Sequence, residues 1–133
     1  MDEGLVGRWE AGRAAYAAQF RVSLNEAEEQ LRVLLGDQMA ENAILAAGGG
    51  WSDASLTPRE KSLLVVASLI TQGGVEARLH GHVRWALDHG ASPVELEALV
   101  SLLAVYVGYA KASVGMEVVR DEISSYVPTG PTS

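Results

Sequence analysis

The stretch His82-Val83-Arg84-Trp85-Ala86-Leu87-Asp88-His89-Gly90-Ala91-Ser92-Pro93-Val94-Glu95-Leu96 decides the fold. Up to His89 it reads as the end of a helix that begins near Val75, with Gly90 at the position where a left-handed residue closes a helix. Ser92, Pro93 and Glu95 then supply an N-cap, a first-turn proline and a capping-box acid. A new helix therefore starts at once and reaches about Gly108.

Working outward, Thr57, Pro58 and Glu60 repeat the same start signal, and a buried helix is expected from Pro58 to about Thr71, broken by Gly73 and Gly74. Further upstream, a helix from about Leu5 to Arg21 carries Trp9, Tyr16 and Phe20 at helical spacing. Ser23 and Glu26 form a capping box for a second helix that Gly36 ends. Asp37 starts a short third one, stopped near Ala47 by the run Gly48–Gly50. The last helix covers Ala112 to roughly Tyr126, and Pro128–Ser133 is read as a disordered tail. No segment sustains a period of two. The expectation is an all-α bundle of about six helices in a single domain, residues 1–127.

Composition narrows the function. The 133 residues include 48% hydrophobic but only 6% aromatic side chains, so the core must be built from Ala, Leu and Val, which suits closely packed helices. A formal charge of −7 argues against a grip on nucleic acid phosphates or anionic membranes. No signal peptide or membrane span is visible, and a cytoplasmic protein is expected. With no cysteine, disulfides, zinc–thiolate sites and thiol peroxidase chemistry are excluded in this chain.

Four segments in order resemble the carboxymuconolactone decarboxylase family, whose all-helical fold is shared with the alkylhydroperoxidase-like AhpD proteins. Leu56-Thr57-Pro58-Arg59-Glu60 is similar to the family's opening, and His82-Val83-Arg84-Trp85-Ala86-Leu87-Asp88-His89-Gly90 to its "H-x-x-x-A-L-x-x-G" segment. Ser92-Pro93-Val94-Glu95-Leu96 fits its next helix start, and Ala104-Val105-Tyr106-Val107-Gly108 that helix's end. The resemblance covers residues 56–123. It implies a cofactor-free, metal-free enzyme for a small anionic lactone or keto acid, assembled as a homotrimer or homohexamer.

The departures bear on chemistry. Where AhpD-like members carry two cysteines before the histidine, this chain has Val75 and Arg78, and Ser62 stands in register with their glutamate one helix earlier. Arg78 also replaces a glutamate that many of the lactone decarboxylases place four residues before the histidine. Where the family often has Gly-x-Pro, this chain reads Gly108-Tyr109-Ala110.

Positions 78, 82, 85 and 89 are three or four apart, so Arg78, His82, Trp85 and His89 share one helical face. His82 is the candidate acid–base group, since an ordinary histidine pKa of about 6.5 suits proton transfer near neutrality. Arg78, with Arg84 as a second cation, is the candidate carboxylate binder. Trp51, Trp85, Tyr106 and Tyr109 are candidates for shaping or lining the pocket. Plainer expectations compete: His82 as a hydrogen-bonded histidine between packed helices, Arg78 in an ion pair, Tyr106 in the core, His89 as a cation on the helix dipole. His80 points away from His82 and is expected exposed or paired with Glu76. Ser62 is expected only to permit close packing. His82 and His89, about 10.5 Å apart along the axis, are too far apart to share one metal ion.

The function expected is His-mediated proton transfer on a small anionic substrate, by decarboxylation or a related hydrolysis, isomerisation or cyclisation. The alternative is a non-catalytic family member that binds or assembles.

Overall fold

The computed structural model describes residues 2–129, so the end of the expected tail, residues 130–133, lies outside the described residues; Pro128 and Thr129 have no regular structure. Seven α-helices and no strand occur among the described residues: α1 (Glu3–Phe20), α2 (Leu24–Leu35), α3 (Asp37–Ser52), α4 (Pro58–Gln72), α5 (Glu76–Asp88), α6 (Pro93–Val107) and α7 (Tyr109–Ser125). They fall into two compact units, the first ending at Leu56 and the second beginning at Thr57.

The first unit is built on α1 crossing α3. A Cβ placed on Gly12 would lie 1.8 Å from the Ile44 carbonyl oxygen, and one on Gly48 1.8 Å from that of Arg8. Backbone therefore rests on backbone at this crossing. Leu31, Ala40 and Ile44 are buried beneath Trp9, Tyr16, Phe20 and Leu35. Charge binds the rim: Glu28 takes Arg13 and Arg32, each at 3.0 Å, and Arg32 also reaches Asp37 at 3.2 Å and Glu41 at 3.1 Å.

One expectation fails here. The run Gly48–Gly50 does not stop α3, which continues to Ser52. Glycine weakens an isolated helix by about 1 kcal/mol per residue, but at position 48 only glycine admits α1, and that packing carries the helix through.

In the second unit the two start signals act as read. Thr57 and Ser92 each accept the amide of the residue three positions on, and Glu60 and Glu95 return the bond. The bond to the Thr57 amide holds the Glu60 carboxyl below its usual pKa. Glu95 also pairs with Arg59 of α4, which fastens the start of α6 to the start of α4. Val66, Ile70, Leu79, Val83, Leu96, Val100 and Val119 form the buried core. Gly115 of α7 lets the helix sit against Ile70. Between α6 and α7 a single residue, Gly108 at φ 93°, makes the turn, so α7 begins at Tyr109 rather than at the expected Ala112. Lys111 Nζ donates to the Thr71 carbonyl at 2.9 Å and so caps α4 from α7.

Candidate functional site

Helix α5 presents the stripe. Its inner side is fixed by Leu79, Val83, Ala86 and Leu87, all buried, and this leaves the face of residues 78, 82, 85 and 89 to carry polar chemistry. Trp85 is 4% exposed. Its indole lies between two imidazoles, with ring centroids 6.1 Å from His82 and 4.8 Å from His89. The structure thus brings His82, Trp85 and His89 together. Arg78, one turn before His82, is exposed and makes no ion pair among the described residues.

Burial disfavours the charged form of both imidazoles. Burial lowers the pKa of His82 below the ordinary histidine value, because a buried ring resists charge. His89 is lowered for the same reason, opposed in part by the neighbouring Asp88 carboxylate. His89 is therefore not the dipole-held cation that its last-turn position suggests. Its ring turns inward instead, and its Nδ1 lies 2.7 Å from the hydroxyl of Ser62 on α4. Ser62, 1% exposed, is more than a space-saving residue. No local rule pairs residue 62 with residue 89, and the sequence signal at Ser62 was its register with the glutamate of AhpD-like members.

The remaining candidates scatter. Arg84 is half-buried on α5. Tyr106, expected in the core, is 80% exposed, since the inward positions of α6 are taken by Leu96, Val100 and Ala104. Tyr109 lines a different feature, a cleft of about 340 Å³ between α6 and α7 with Val100, Ala104, Ala112, Met116 and Arg120. Trp51 is half-buried on α3 in the first unit. His80 pairs across to α7, with Glu122 at 3.0 Å and Asp121 at 3.8 Å, rather than with Glu76. Asp88 accepts the Tyr126 hydroxyl at 2.7 Å, which ties the end of α5 to the segment after α7. No cluster of three or more metal-ligating side chains occurs among the described residues, and no helix there is long and apolar enough to cross a membrane.

The all-helical architecture sets the class of fold. The model of the carboxymuconolactone decarboxylase family matches residues 37–121, more than half of the chain, and the chain belongs to that family. The match reaches further upstream than the expected core of 56–123 and takes in α3. No curated protein and no solved structure matches the chain.

Proposed function

We propose that the chain is a cofactor-free proton-transfer enzyme acting on a small carboxylate-bearing lactone, keto acid or specialised metabolite, with His82 as the base and Arg78 as the carboxylate binder. The observation that carries this reading is the pairing of an exposed cation without an ion-pair partner, Arg78, with an imidazole one turn on that burial keeps neutral, His82. A neutral imidazole is ready to accept a proton at physiological pH. A guanidinium that grips a carboxylate stabilises it as the anion and opposes its departure as CO₂. Isomerisation or cyclisation begun by removal of a proton beside a carbonyl therefore fits these residues better than decarboxylation does. Arg84 is a reserve cation in this scheme.

Deuterium exchange tests it without the natural substrate. The protein is incubated in D₂O with a panel of small lactone and keto carboxylates that includes levulinate, and exchange beside the carbonyl is followed by NMR. Wild type accelerates exchange for at least one member, His82→Ala abolishes it, and Arg78→Gln raises KM with a smaller effect on kcat. Full exchange in His82→Ala, or none with any member, overturns the proposal.

A second reading, a binding or assembly protein, is favoured by α6, which leaves Leu102, Val105 and Tyr106 exposed. Assembly into a homotrimer or homohexamer is proposed on the same surface and is compatible with catalysis.

A further inference from the structure

The cleft between α6 and α7 is not used by the reading above. Its volume of about 340 Å³ lies toward the small end of the roughly 300–1,000 Å³ typical of ligand pockets, and none of its lining residues is on α5. The floor is apolar, made by Val100, Ala104, Ala112 and Met116. Buried alanines at 104 and 112 leave space that larger side chains would fill, and the flexible thioether of Met116 adapts to what enters. The polar groups at the rim are unequal. Arg120 is already engaged, since its guanidinium donates to Glu97 at 2.7 Å. Glu117 is exposed and has no hydrogen bond or ion pair among the described residues. Ser113 stands one turn before it on the same face of α7. The Ser113 hydroxyl gives its proton to the Ala110 carbonyl at 3.0 Å, which leaves its oxygen as an acceptor. The uncommitted charge is therefore negative, and the uncommitted atoms beside it accept hydrogen bonds.

We propose that this cleft binds a protonated amine with an apolar body, its ammonium held by the Glu117 carboxylate and the Ser113 oxygen and its body laid on Val100, Ala104, Ala112 and Met116. An ammonium carries three donors and no acceptor, the complement of what these two side chains offer. The chain's charge of −7 draws cations toward it. At the turn end of the cleft stands Tyr109, 77% exposed, eight residues from Glu117 and so about 12 Å away along the helix axis. That separation suits an aromatic ring packed on Tyr109 and joined to the ammonium by several carbons. The ligand class is an aralkylamine. A carboxylate head would be repelled by Glu117, and to reach Arg120 it would have to displace Glu97. A neutral alcohol would leave the Glu117 charge unmatched.

The methionines, Met1, Met39 and Met116, give a site-resolved readout, because only Met116 lines the cleft. The full chain, labelled with ¹³C at its methionine methyls, is titrated with 4-phenylbutylamine. The Met116 resonance shifts saturably, and that of Met39 on α3 stays in place. 4-Phenylbutan-1-ol and 4-phenylbutanoate, which keep the body and change the head, bind more weakly than the amine. Butylamine, which keeps the head and loses the ring, does not saturate. Glu117→Gln, at an exposed position, weakens the amine about fivefold, the scale of an exposed ion pair, and leaves the alcohol unchanged. Ser101→Phe, at the rim, fills the cleft and removes binding while helical circular dichroism is retained. An unmoved Met116 overturns the proposal, as does amine binding that Glu117→Gln leaves at full strength. Phenylbutanoate binding as tightly as the amine overturns it too, because Arg120 would then be the anchor. Equal affinity for alcohol and amine leaves no role for the charge and has the same consequence.

Discussion

His82 and His89 owe their depressed pKa values to burial, and that has a thermodynamic counterpart. The unfolded chain takes up these protons near pH 6.5, whereas the folded protein resists them. Their contribution to stability is therefore complete above about pH 7 and is lost progressively as pH falls through 6.5. Urea denaturation at pH 7.5 and 5.5 should show a lower midpoint at pH 5.5, and His82→Gln with His89→Gln should shrink the difference. The carboxylates act in a separate, more acidic window. At this scale the sequence reveals that residues 78, 82, 85 and 89 share a face, because helical spacing is a local rule. It does not reveal which way the His89 ring turns, because the choice between solvent and Ser62 depends on how α4 packs against α5.

Among the helices, starts are far more legible than stops. Thr57 and Ser92 announce α4 and α6 through side-chain hydrogen bonds made within three residues, and Thr57→Ala or Ser92→Ala should each cost about 1 kcal/mol in chemical denaturation. Ser92→Ala removes only the acceptor of the Glu95 amide and leaves the bond from the residue-92 amide to the Glu95 carboxylate in place. Glycines mislead because their meaning depends on a neighbour. Gly48 and Gly50 look alike in sequence, yet an added Cβ meets the Arg8 carbonyl at 48 and nothing within 4 Å at 50. Gly48→Ala should therefore destabilise by about 3 kcal/mol or prevent folding. Gly50→Ala should stabilise by up to about 1 kcal/mol. A reversed order in thermal melts would show that the α1–α3 crossing is looser than drawn.

For the molecule as a whole, α6 is the surface out of keeping with a monomer. It is apolar on nearly every side, and only part of it is covered within its own unit, leaving Leu102, Val105 and Tyr106 more than half exposed. A helix of that composition is normally enclosed. Sedimentation equilibrium should return a multiple of the 14.1 kDa chain mass, and Val105→Lys with Tyr106→Lys should lower it. A clean monomer at micromolar concentration would refute this. The all-α class was legible from caps and spacing, whereas the division at Leu56 was not, since no glycine, proline or charge run marks it more strongly than the other breaks. The tryptophan held between two imidazoles gives the molecule an optical property as well. A protonated imidazole quenches indole emission far better than a neutral one, so Trp85 fluorescence should dim on acidification and respond when a ligand displaces either ring. Read in Trp9→Phe, Trp51→Phe protein, that emission would report the state of the site continuously.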